Sequence, residues 1–157
     1  MESYFITEKF TLTPKHLYRE EYLQDMFEIT DNEVVKAVEL EKHNAVLAFV
    51  SEKAADAGSS QPMALALIKY ADTLNDHNKL VINYSKDDKL THIVAMEGEK
   101  LLLANTFHTA DIKSVLYFIA LVAGQVMFNP LLTKVHVYGE LEPEGVQLVE
   151  KYFAAIA

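Results

Sequence analysis

Six histidines, at 16, 43, 77, 92, 108 and 136, are the residues best suited to acid-base or metal chemistry at neutral pH. No two have the close spacing of a zinc motif, and no HExxH occurs. His92 and His136 come together if their strands lie close in one sheet, but a hydrogen-bonded core imidazole is the ordinary explanation of such residues. Cysteine is absent, which excludes thiolate catalysis, a disulfide frame and a Cys-based zinc site, and mildly favours a reducing compartment. Ser51, Ser85 and Ser114 lack a Gly-x-Ser-x-Gly elbow. One more group can meet an anion: the run Asn83, Ser85, Lys86, Asp87, Asp88, with a single lysine among acids. A lone lysine on a turn is usually a solvated charge. No metal site and no cofactor are expected.

The elements that must position these residues centre on 79–106. Leu80–Tyr84 is almost wholly apolar, as in a strand covered on both faces. Two further strand-like runs, LTHIVAMEG and KLLLANTF, are joined by a short loop with hairpin chemistry at Glu97–Lys100. Asp111–Phe128 then reads as a long apolar helix, Lys134–Tyr138 as a strand and Pro143–Ile156 as an amphipathic helix. Three strands, helix, strand, helix is the plan of a ribonuclease-H-like half-domain, in which a crossover helix returns the chain to a parallel strand. Thr109 is expected to cap the long helix, with Asp111 in its first turn. Its residues are apolar on nearly all sides between Val115 and Val126, so a second covering surface is expected, supplied by the first lobe or by another copy of the chain.

The preceding residues read as a smaller α+β lobe. Tyr4–Leu12 alternates as one strand, and Thr13–Pro14 signals a helix whose face carries Tyr18, Tyr22, Leu23, Met26 and Phe27. Val34–Leu40 and Ala45–Val50 flank a turn ending in Asn44, an antiparallel hairpin whose second strand is buried on both faces. Ser51 caps a short helix through Ala57, Gly58–Gln61 is linker-like, and Pro62 opens a helix buried along Met63, Leu67, Ile68, Ala71 and Leu74. The lobes divide at residue 77, giving 1–77 and 78–157. The first holds 14 acids against 7 bases and the second 9 against 7.

The net charge of −9, with no clustered basic patch, argues against a nucleic-acid partner. The N-terminus lacks the apolar core of a secretory signal, and the most apolar window, Val115–Phe128, is too short for a membrane span. A cytoplasmic protein with no membrane partner is expected.

The succession LVINYSKDDKLTHIVAMEGEKLLLANTF, a helix, then VHVYGE leading into a helix resembles the second half of actin-like ATPases, the superfamily of sugar kinases, chaperone ATPases and bacterial actins. LLLANTF with VHVYGELEPEGVQLVEKYF and the upstream FTLTPKHLY is similar to a Bacteroidetes domain family of unknown function with a degenerate actin-like fold. The resemblance implies that the chain begins where a first actin-like half would already have passed its opening strands. It also sets a chemical demand. The turn after the first strand of an actin-like ATPase offers an aspartate and glycines to phosphate and magnesium. Here that turn carries Asn83, Ser85, Lys86 and Asp87, without glycine. The nucleotide-base motif, with paired glycines after the later strand, keeps only Gly139, followed by Glu140. The metal-dependent nuclease chemistry of the fold needs acids on its first and fourth strands; Asn83 and TKVHVY supply none.

The expectation is a non-enzymatic protein-binding or scaffolding module, with ATP binding disfavoured. It works through a protein partner or as a homodimer, with Tyr18, Tyr22, Phe27, Tyr117 and Phe118 as interface candidates. The alternative is a nucleotide-binding ATPase or kinase-like protein whose cleft a partner chain completes.

Overall fold

A computed structural model describes residues 3–53 and 60–157. Two compact units emerge, Met1–Leu65 and Ala66–Ala157, so the division falls ahead of the 77/78 boundary read from the sequence.

In the first unit, the single strand expected over Tyr4–Leu12 is two: β1 (Ser3–Phe5) and β2 (Phe10–Pro14). Thr13 and Pro14 do not start a helix. They end β2, and the tyrosine-rich segment forms only 3₁₀ turns at Lys15–Leu17 and Glu20–Asp25, with no buried residue in either. The hairpin is present as β3 (Glu33–Leu40) and β4 (Ala45–Glu52), closed by Asn44 in the left-handed region at φ 49°. An asparagine tolerates that conformation better than most residues. β4 lies between β2 and β3, antiparallel to both, and is buried without a break from Val46 to Ser51. Ser51 and Glu52 are therefore strand residues and Lys53 a turn, instead of a cap and the start of a helix; residues 54–57 of the expected helix lie outside the described residues, as do Gly58 and Ser59 of the linker. Ser60, Gln61 and Pro62 form β5, parallel to β1, and the helix α1 (Met63–Asp72) starts one residue after the proline and belongs from Ala66 onward to the second unit. Of its expected stripe, Leu67, Ile68 and Ala71 are buried, whereas Met63 and Leu74 are half-buried.

The second unit contains the meander β6 (Asn78–Ser85), β7 (Leu90–Glu97) and β8 (Lys100–His108), antiparallel throughout. Then follow α2 (Ile112–Gln125), β9 (Lys134–Val137), α3 (Pro143–Glu150) and β10 (Ala155–Ile156). The final helix is shorter than the apolar spacing suggested: it ends at Glu150, residues 151–154 turn, and Ala155–Ile156 form a strand. β9 is parallel to β6 and β10 to β9, giving the order β10-β9-β6-β7-β8. Leu80, Ile82, Ile93, Ala95 and Val135 on one sheet face pack with Val115, Ile119 and Val122 of α2 and Val149 of α3. On the opposite face, Tyr70 of α1 sets its ring 5.5 Å from Tyr138 and 6.4 Å from His136.

The N-cap of α2 is Asp111, in a capping box with Ser114: Asp111 Oδ1 accepts the Ser114 amide at 2.9 Å, and Ser114 Oγ accepts the Asp111 amide at 3.1 Å. Thr109, the residue expected to cap, is instead buried, with its Oγ1 2.8 Å from Thr91 Oγ1. At the other end Met127 adopts φ 62° and Phe128 donates to Ala123 O at 2.8 Å, a Schellman closure in which methionine replaces the usual glycine. Asn129 then caps the 3₁₀ turn Pro130–Leu132 through the Leu131 amide.

Candidate functional site

The C-terminal ends of β6 and β9 open into a cavity of about 730 Å³ between the β6–β7 turn and the β9–α3 loop. Tyr84, Lys86, Gly139, Glu140 and Glu142 line it, together with apolar side chains including Val137 and Val146. A smaller hollow of about 230 Å³ shares Tyr84, Lys86 and Glu142, and adds Asp111 and Glu144.

Asn83 sits where β6 ends. Its Nδ2 donates to Tyr138 O at 2.8 Å, while the Tyr138 amide donates to Ile82 O at 2.8 Å, so side chain and backbone together hold the start of the β9–α3 loop against β6. Gly139 follows at φ +100°, and a Cβ there would stand 3.0 Å from Asn83 Nδ2. Glycine is required both by that backbone conformation and by this close approach. Asn83 Oδ1 is shielded from solvent and accepts no hydrogen bond among the described residues.

The turn itself is closed by its own side chains. Ser85 Oγ donates to Asp88 Oδ2 at 2.6 Å, and the Lys89 amide reaches Lys86 O at 3.4 Å. Lys86 Nζ lies 3.1 Å from Glu142 Oε1, linking the turn to the loop ahead of α3. The hydrogen bond and charge of Glu142 hold the Lys86 ammonium above the ordinary lysine value. Both side chains are largely exposed, at 72% and 67%, so water and salt screen the pair, which sets geometry more than stability. Asp87 and Asp88 are exposed beside it.

The sequence-derived positions therefore meet in one place: Asn83 bonds the Tyr138 carbonyl next to Gly139, and Lys86 and Glu140 face the same cavity. Glu142, Lys86's partner, had no sequence signal, since 56 residues separate the two. The histidines do not combine. His92 on β7 is paired with Asn83 and His136 on β9 with Val81, so β6 runs between them. His136 Nε2 instead lies 2.9 Å from Asp76 Oδ2. Burial pushes the Asp76 carboxyl up, but the hydrogen bond and charge of His136, with smaller help from a backbone amide and Lys134, bring it below the usual carboxylate range. Among the described residues no three His, Asp or Glu side chains are grouped closely enough to hold a metal ion.

Of the aromatic interface candidates, Tyr22 is exposed, and Tyr18 and Phe27 are half-buried in the first unit. In the second, Tyr117 is 61% exposed and Phe118 half-buried. Leu121, also on α2, is 38% exposed. The all-round apolar helix thus buries one stripe and leaves the other open.

The DUF3822 family, a protein family of unknown function, matches residues 4–156. The chain belongs to this family. It is also similar to a Bacteroides thetaiotaomicron protein of unknown function with an actin-like ATPase fold, whose crystal structure superposes with a TM-score of 0.80 at 22% identity. That match covers 98% of this chain and 65% of the other, so this chain spans less than two thirds of its neighbour's length. No curated protein matches. The fold is therefore actin-like, as the resemblance in LLLANTF and VHVYGE implied. No helix among the described residues is long and apolar enough to cross a membrane.

Proposed function

We propose that this DUF3822 protein is a non-catalytic module of actin-like fold that works through protein contacts. The observation that carries the reading is the closed β6–β7 turn. Polyphosphate binding needs converging donors, supplied by glycine-rich backbone amides and free cations, with a carboxylate placed for magnesium. In this turn Ser85 is committed to Asp88 and Lys86 to Glu142. Glu140 and Glu142 line the cavity that phosphates would have to enter, Asp87 and Asp88 are exposed on the adjoining turn, and like charges repel. Asn83 aims its donor at Tyr138 O and leaves an acceptor, which a phosphate oxygen cannot satisfy. Protein contact is supported by the open apolar face of α2 and by Met127, 90% exposed beyond its end.

Calorimetric titration of the whole chain with ATP and magnesium is the test. No saturable heat is expected up to about 1 mM nucleotide. Micromolar binding that is lost in Lys86→Ala would overturn the reading and favour a nucleotide-dependent enzyme.

A further inference from the structure

The cavity at the C-terminal ends of β6 and β9 has two kinds of wall. One is apolar: Val137 and Ile156 from the sheet, Leu141 from the β9–α3 loop, and Pro143 and Val146 from α3. The other is charged, with Lys86, Glu140 and Glu142 exposed beside half-buried Tyr84. At about 730 Å³ the space suits a bound molecule or the side chains of a partner segment. Tyr84, Leu141 and the Lys86 and Glu142 pair also line the smaller hollow, so the two adjoin, and Asp111 and Glu144 are the carboxylates that the second adds.

Four carboxylates therefore face one ammonium. Two of them are committed, Glu142 to Lys86 and Asp111 to the Ser114 amide. Glu140 and Glu144 make no hydrogen bond or ion pair among the described residues. Glu144 stands in the first turn of α3, where the helix dipole favours an acid; Glu140, in the loop, has no such local reason.

Free carboxylates beside an apolar wall place two demands on an occupant. An anion is repelled by the first. A bare metal ion finds no group of three acidic or histidine ligands among the described residues, and it leaves the apolar wall wet. A polyamine brings charge but no bulk to cover Val137, Val146 and Ile156. A second copy carries the same net charge of −9, so its approach is opposed. An extended segment of another protein, with an aliphatic side chain between two basic ones, meets both demands. Arginine suits it best, because a guanidinium pairs with a carboxylate through two hydrogen bonds and stacks on a ring such as Tyr84.

We propose that the adjoining hollows are a docking site for a basic segment of a different protein, its aliphatic side chain against Val137, Val146 and Ile156 and its two cations at Glu140 and Glu144. The proposal rests on the protein-contact reading and specifies the chemistry of the partner.

Titration of the full chain with the blocked peptide ARALARA, followed by two-dimensional NMR, tests it. Saturable binding with a Kd below about 1 mM is expected, with shifts concentrated at Val137 and Val146. Replacing the peptide's leucine with serine should weaken binding about 10-fold, and replacing both arginines with glutamate should abolish it. Glu140→Gln and Glu144→Gln should each weaken it about 5-fold, whereas Glu150→Gln, which removes the same charge outside both hollows, should leave it unchanged. Absence of binding, equal binding of the serine peptide, equal loss with Glu150→Gln, or spermidine binding as tightly as the peptide would each overturn the site. A native dimer dissolved by Glu140→Gln would give the cavity to a second copy and overturn it too. Micromolar binding of magnesium-ATP would instead overturn the reading beneath it.

Discussion

Replacing Gly139 with alanine probes whether the glycine that opens the β9–α3 loop is a structural residue. At φ +100° the backbone lies beyond the left-handed well that non-glycine residues visit, a strain of about 1–3 kcal/mol. The added Cβ stands 3.0 Å from Asn83 Nδ2. Asn83 must give way, and loss of its bond to Tyr138 O removes about 0.5–1.5 kcal/mol more. The expected cost is about 2–4 kcal/mol. Gly98 supplies the comparison: its φ of +59° falls inside the left-handed well, and nothing lies within 4 Å of an added Cβ. Gly98→Ala should cost about 1 kcal/mol. Urea unfolding resolves the difference, since 2 kcal/mol moves the midpoint by roughly 1 M at ordinary m-values. In an Asn83→Ala background the penalty at Gly139 should shrink, because the side chain it crowds is gone, giving a coupling of about 1 kcal/mol. Equal costs at Gly98 and Gly139, or no coupling to Asn83, would refute the reasoning.

Gly145→Ala should also destabilise the second unit: the new Cβ would come 2.6 Å from Ile112 Cδ1 and 2.9 Å from Leu141 Cγ, so overpacking outweighs the better helix propensity by about 1 kcal/mol in urea unfolding. Asp76→Asn should lower stability at neutral pH. The Asp76 carboxyl is depressed in the folded state, so its contribution is fully present above the unfolded value near 3.8 and disappears as pH falls through the lower folded value. Thermal melts of native and variant protein should therefore converge in strong acid; a gap that persists there would show that the ionised carboxylate is not what stabilises His136.

The second unit was largely readable because its signals are local. An almost wholly apolar run marks β6 and a strand-like run rich in β-branched residues marks β7, Gly98 allows their hairpin partner β8 to turn back, and a strand after a long helix must return parallel. Asn44 likewise marked the β3–β4 turn. The helix expected across Tyr18 and Phe27 failed because Pro14 and Lys15 are held by β4: Pro14 pairs with Ala45, and the Lys15 amide donates to Asn44 O at 2.8 Å. With no buried face to pack, a short helix is marginal in water, and 3₁₀ turns remain. β10 was missed because Val149, Phe153 and Ile156 continue a helical spacing. Pairing with β9 decides otherwise, through Ala157 N–H to Val135 O at 2.9 Å and Val137 N–H to Ala157 O at 2.7 Å. Thr109 and Asp111 are both good caps by type, and only the packing of Thr109 against Thr91 chose between them.

Residue types alone determined that this chain has no thiol chemistry, that residues 85–88 include no glycine and that its acids greatly outnumber its bases, since those are properties of the residues wherever they are placed. Which groups remain available was decided by the tertiary structure. Lys86 is bound to Glu142, Asn83 to the Tyr138 carbonyl and His136 to Asp76, across separations of 56, 55 and 60 residues. No local propensity encodes such pairings; they exist because β6 and β9 lie side by side.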